Sequence, residues 1–285
     1  MHAITAWRGD ASPRAKTLAA LRLALDRIEQ RRDDGKRAAP AGYFSLGPAE
    51  VDAALGGGLS RACLHEVQAP RGADWSAAVG FGLALALRAA RGRPLLWARQ
   101  DVLDSETGRL NGVGLAEFGV DPADLSLVRG RDAEAVLRAG VDAARCKSLG
   151  AALIEVFGAP RALDLTASLR LARSAEFSGV TLFLLRICAG EAARAPPSAA
   201  VSRWRARAQN SRALPANAPG APCFSVTLLR HRGGAADRSW RLEWQRDRGI
   251  FRETGETRHA ALSGPVPAFP ADGALALPPE RRRAG

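Results

Sequence analysis

The feature that most constrains this chain is the stretch from Tyr43 to Arg88, where an apolar run, a short polar loop and a long Ala/Leu-rich segment follow one another. Glycines cluster at Gly56, Gly57 and Gly58 and read as backbone turns. Residues 62–68 then read as a buried strand. Pro70 and Gly72 interrupt it, and Asp74 stands where the N-cap of a helix over 75–90 belongs. A strand, a loop and a helix in that order, early in a domain, is where an α/β protein holds a phosphate. Such a loop needs glycines that turn backbone N–H groups toward the anion, a lysine that neutralises it and a hydroxyl for magnesium. Between Gln68 and Asp74 there is a single glycine, and Asp74, Trp75 and Ser76 follow it with an acid, an indole and a hydroxyl. Only the hydroxyl suits a nucleotide. The sequence predicts a nucleotide-binding scaffold with a degenerate site.

Downstream the pattern alternates. Apolar strands are expected at 94–98, within DPADLSLVR, at 150–158 and at 179–187. Helices are expected on the stripes Ala133, Leu137, Val141, Ala144 and Leu165, Leu169, Ala172, and a short one over 115–120. A polar, turn-rich loop is expected after Ala98. Strands alternating with helices imply an α/β fold with a central, mostly parallel twisted sheet flanked by helices. After Cys188 the texture changes. VSRWRARAQ, FSVTLLRHRGG and RSWRLEWQRDRG alternate residue by residue, as antiparallel strands at the far edge of the sheet would. Arg203, Arg205 and Arg207 then share one strand face, with Trp204 on the other. Arg230, Arg232 and Arg241 add to a region, 196–259, that holds twelve arginines against five acidic residues.

Before the core, Ser12 and Pro13 open an expected helix over 12–30 whose apolar stripe is Leu18, Leu21, Leu25 and Ile28. The charged, Pro/Gly-containing linker ending near residue 40 separates it from the core, so it docks back or serves a partner or self-assembly. Residues 41–258 form the expected core, and 259–285, rich in proline, the expected disordered tail. The net charge of +12, carried overwhelmingly by arginine, favours acidic partners, either nucleic acid or an acidic protein surface. Four widely spaced cysteines have neither metal-ligand nor disulfide-framework spacing and read as reduced thiols. His65 lies in a strand without a second ligand near it and reads as structural. No run approaches about 18 apolar residues, so a cytoplasmic protein away from membranes is expected.

The stretches FSLGPAEVDAALGGGLSRACLHEV, LTASLRLARSAEFSGVTLFLLR, PSAAVSRWRAR, FSVTLLRHRGG and WRLEW resemble the ImuA family, the RecA-like, in part SulA-like, proteins of bacterial mutagenesis cassettes. The resemblance spans roughly residues 15 to 255. It implies a RecA-like core and a role in SOS-induced translesion synthesis, with ImuB and an error-prone replicative-type DNA polymerase as partners. RecA and DNA are further candidate partners. Against the RecA pattern, Asp74, Trp75 and Ser76 stand where Gly-Lys-Thr would end the phosphate loop. Gln100 stands in place of the catalytic glutamate, and Glu155 in place of the acid on the second motif's strand. Loss of both the lysine and the base implies a non-catalytic adaptor without a cofactor. An ATP-dependent RecA-like DNA-binding protein and a SulA-like cell-division inhibitor are the alternatives. The arginine strand is expected to serve the protein partner more than DNA.

Overall fold

The computed structural model describes residues 42–69, 71–187, 197–212, 214, 215, 218, 220–233 and 236–254. The expected helix over 12–30, with Leu18, Leu21, Leu25 and Ile28, lies outside the described residues, and so does the tail 259–285.

A two-stranded antiparallel ribbon opens the described chain, β1 (Tyr43–Phe44) against β2 (Leu59–Ser60), with the short helix α1 (Ala49–Ala54) between them. The glycine cluster closes this ribbon, and all three glycines have positive φ. At Gly58 a Cβ would lie 2.4 Å from the Phe44 carbonyl oxygen, so the crossing admits no side chain.

The remaining strands form one sheet. In chain order they are β3 (Leu64–Ala69), β4 (Leu95–Gln100), β5 (Leu125–Gly130), β6 (Ala151–Phe157), β7 (Thr181–Ile187), β8 (Ser202–Gln209), β9 (Cys223–His231), β10 (Arg238–Gln245) and β11 (Ile250–Glu253). Their order across the sheet is β11-β10-β9-β8-β3-β7-β6-β4-β5. From β8 to β5 every pairing is parallel; from β8 to β11 every pairing is antiparallel. The expected fold class is therefore the observed one. Two details differ. β8 is parallel to β3, so it belongs to both halves of the sheet, and β11 is an additional edge strand that the alternation left unread.

The parallel strands follow one another because helices return the chain. These are α2 (Trp75–Ala90), α3 (Val102–Glu106), α4 (Gly112–Phe118), α5 (Ala133–Arg145) and α6 (Leu165–Ser178). Helix α3 falls inside the expected polar loop. Its Leu103 is fully buried, and Arg99 donates to the Leu103 carbonyl, so a single apolar side chain and a buried cation anchor one turn there. Asp132 and Asp164 cap α5 and α6 by accepting from Ala135 and Ala167 N–H at 2.8 and 2.7 Å.

Two cores result. On one face α2 packs on β3, β6, β7 and β8, and its Phe81, Leu85 and Ala84 meet Val67, Leu153, Leu185 and Trp204. On the other, α5 and α6 bury Leu64, Leu96, Ile154, Leu182 and Leu184. Among the described residues, no helix is long and apolar enough to cross a membrane.

Candidate functional site

The loop between β3 and α2 follows the carboxyl end of β3 and lies beside β8, on the side where open parallel sheets hold ligands. The loop is a single 3-10 turn, Gly72–Asp74, running straight into α2. Asp74 does not cap the helix as expected: its side chain makes no cap hydrogen bond. It is buried instead, because Arg71 Nε lies 2.9 Å from Oδ2 and the Ala208 N–H reaches Oδ1 at 3.4 Å. That ties the loop to the end of β8 and places a carboxylate where phosphate oxygens would need donors. Trp75, half-buried, packs on the α2 core; Ser76 beside it is exposed. Together they line a cleft of about 560 Å³ between α2, α4 and the start of β9, walled also by Val79, Leu115, Phe118 and Phe224.

Gln100 ends β4, and its Oε1 accepts from the Phe157 N–H at 3.1 Å, so the amide fastens β4 to β6. Glu155 is fully buried on β6. Arg99 Nε stands 3.2 Å from Glu155 Oε2, and the Trp97 indole N–H donates to the same oxygen at 2.9 Å. Arg99 itself is 2 % exposed at its side chain, faces Asp104 at 3.4 Å and donates to Thr107 Oγ1 at 2.6 Å. Burial pushes the Glu155 carboxyl up to about 7 against the pull of Arg99 and the Trp97 hydrogen bond, with Asp104 adding to the rise. Arg99 and Trp97 were not among the residues singled out by sequence. An arginine inside an otherwise apolar strand is the signal that points to a buried acid.

A second buried ion cluster lies on the opposite face. Glu66 accepts from Gln68 Nε2 at 2.8 Å, Ser198 Oγ at 2.7 Å, Arg186 NH1 at 3.2 Å and Arg203 NH2 at 3.3 Å. Glu66 is fully buried and Arg186 nearly so. Arg203 is thus part of a buried cluster, not of a solvated strand face. It shares one strand face with Arg205 and Arg207, with Trp204 buried on the other.

Strand register decides which of the other arginines join them. Arg230 sits opposite Arg203 and donates to the Ser198 carbonyl at 3.1 Å. Arg207 opposes Ser225, which opposes Arg241. Arg232 falls beyond β9, in the turn after it, and does not join the row.

His65 is structural, as expected. Its Nε2 faces the Ser60 carbonyl at 2.8 Å, so that nitrogen carries the proton, and Nδ1 accepts from Ser202 Oγ at 2.7 Å. The ring stacks on Phe183 with centroids 5.4 Å apart. Burial drops its pKa to about 4, with the Ser60 hydrogen bond opposing and His231 assisting. Cys63, Cys146 and Cys223 are free thiols, and burial pushes Cys63 up to about 12. Among the described residues no cluster of His, Cys, Asp or Glu could hold a metal ion.

Fold and site together define an α/β protein whose loop between β3 and α2 is held by its own side chains. No protein-family model matches the sequence, and no curated protein matches it. Among solved structures the chain is similar to the crystal structure of the RadB recombinase, with 16% sequence identity and a TM-score of 0.47 over 71% of this chain and 96% of that one.

Proposed function

We propose that this chain is a non-catalytic accessory protein of error-prone translesion DNA synthesis, the role implied by its resemblance to the ImuA family. In this reading it is a RecA-like module that acts with ImuB and an error-prone polymerase, without a nucleotide cofactor. The observation that carries the non-catalytic part is the self-occupied loop: Asp74, held by Arg71 and the Ala208 N–H, fills the place of the phosphate-binding backbone. The acid on β6 is likewise spoken for, since Glu155 meets Arg99 and Trp97 instead of facing an open magnesium position. An ATPase would have to break both arrangements and would still have no lysine at Trp75 and no base at Gln100. The adaptor role itself rests on the sequence resemblance.

The test combines genetics and binding. In a strain lacking the gene, the full chain should restore damage-induced mutagenesis, and the purified chain should retain ImuB on a column without added nucleotide. A strict requirement for ATP in the ImuB retention would overturn the non-catalytic reading. Restoration failing while ImuB is not retained would overturn the adaptor role.

A further inference from the structure

Helix α6 turns one side to the sheet. Ser168, Leu171, Ala172, Ala175 and Ser178 are buried there, at the three- and four-residue steps of a helix face. A helix side that meets only water is polar. The outer side of α6 instead carries Leu165, Leu169 and Phe177, which are 46, 39 and 84 % exposed. Single exposed apolar residues are ordinary, but these are three of the seven large ones among the described residues, and they share one helix. Lys147 Nζ stands 5.9 Å from the centroid of the Phe177 ring and still leaves most of that ring in water. Such a face is built to be covered.

The order of residues along it says by what. Leu169, Arg173 and Phe177 follow at four-residue steps and so lie along one line of the helix. Arg173 is the midpoint, with an apolar residue four positions away on either side. Glu176 flanks the line three positions after Arg173, and both side chains are exposed. A second copy of α6 can lie antiparallel to the first, with a two-fold axis at Arg173. Leu169 of each copy then stands level with Phe177 of the other, in the side-by-side layers of an antiparallel helix pair. Glu176 of the second copy lies about 4.5 Å along the helix from the level of Arg173, within reach of the guanidinium. The two arginines on the axis therefore point apart, each to the glutamate of the other copy. One register thus sets apolar on apolar and cation on anion, which is the self-complementarity a two-fold interface requires. A partner of different sequence would need no such symmetry.

We propose that two copies of this chain associate through antiparallel α6 helices, with Leu169 packed beside Phe177 and Arg173 paired with Glu176 across the interface. The proposal goes beyond the accessory role and stands whether or not the chain acts with ImuB. One helix pair is a small contact, so the dimer belongs to the weak, reversible class.

The test is sedimentation velocity of the purified full chain between roughly 1 and 100 μM, the range suited to a small contact. Wild type should pass from monomer to dimer within it. Phe177→Asp should weaken the dimer by about tenfold or more, as loss of an interface aromatic does. Arg173→Glu and Glu176→Arg should each do the same, because each sets like charges against one another. Arg173→Glu/Glu176→Arg should return to within about threefold of wild type, since the pair is then exchanged instead of broken. Val113→Asp, the same kind of change at an exposed site on α4, should dimerise as wild type does. Thermal melting checks that the variants fold, and Leu169→Ser is the second probe should Phe177→Asp not fold. A wild type that stays monomeric throughout would overturn the proposal, and loss of ImuB retention in Phe177→Asp would then assign the face to that protein. A dimer that Phe177→Asp leaves intact would overturn it too, and place the contact on another face. A double charge exchange no better than the single ones would show that Arg173 and Glu176 do not meet.

Discussion

At the residue scale, two buried carboxylates organise the molecule, and they behave differently. Glu66 is surrounded by donors from three strands and the segment before β8, so its charge is matched on all sides. Glu66→Gln should destabilise the protein by about 3–5 kcal/mol in chemical denaturation, because Arg186 then stays buried without its Glu66 counter-ion. Replacing Glu66, Arg186 and Arg203 together by Leu, Met and Met should cost clearly less than Glu66→Gln alone. A larger cost for the triple variant would show that the cluster stabilises beyond mutual neutralisation. Glu155 is poised near neutrality instead, because burial outweighs the pull of Arg99 and the Trp97 hydrogen bond, with Asp104 adding to the rise. Its folded pKa, about 7, lies above its ordinary 4.5, so the folded state holds a proton that the unfolded chain releases. The stabilisation from this group is full below pH 4.5 and is lost as pH rises through about 7. His65 works the other way. With its pKa lowered from 6.5 to about 4, its contribution is full above 6.5 and is lost as pH falls toward 4. The two oppose each other between 4.5 and 6.5. The melting temperature of Glu155→Gln relative to wild type should therefore rise from about pH 5 to about pH 8. A difference independent of pH would place the Glu155 proton elsewhere. In the NMR spectrum, the His65 imidazole should stay neutral down to about pH 4.

At the scale of elements, α2 decides what the phosphate loop has become. It starts directly after one 3-10 turn, with Trp75 in its first turn against the core. Trp75→Lys should restore no nucleotide binding and should cost about 1–2 kcal/mol, the burial of roughly half an indole, read in urea denaturation. Nucleotide binding gained by this one change would mean that Asp74 and Gln100 are no obstacle. At the far end of α2, the chain before β6 passes so close that a Cβ on Gly150 would lie 2.6 Å from Ala90 Cα. Since backbone cannot swing aside, Gly150→Ala should cost about 1–3 kcal/mol. An unchanged midpoint would show that helix and sheet can separate there without penalty. The expected N-terminal helix belongs to this scale too. If its stripe of Leu18, Leu21, Leu25 and Ile28 serves a partner, a chain without residues 1–39 folds cooperatively but retains ImuB less well, and a chain that no longer folds would assign the stripe to the core.

For the whole molecule, a sheet that is parallel on one side of β8 and antiparallel on the other separates two surfaces. At the carboxyl end of β3 the loop is tied to the end of β8 through Arg71, Asp74 and the Ala208 N–H. Calorimetry with Mg-ATP should give no saturable heat at millimolar ligand; a micromolar dissociation constant would refute the non-catalytic reading.

The alternation of strands and helices, the edge pattern after Cys188 and the missing lysine at Trp75 were legible in the sequence, because each depends on local periodicity or on one residue type at one place. The side on which each arginine of β8 points was legible too, since side chains alternate along a strand. What the arginines meet was not. Arg203 finds Glu66 only because β3 and β8, far apart in the chain, lie side by side, and Arg241 joins Arg207 only through the register with Ser225. The same holds for Glu155, whose acidity is set first by its burial away from water and then by the opposing arginine on the neighbouring strand. Periodicity fixes which way a side chain faces, but pairing, burial and the proton on a carboxyl are properties of neighbours that only the folded chain brings together.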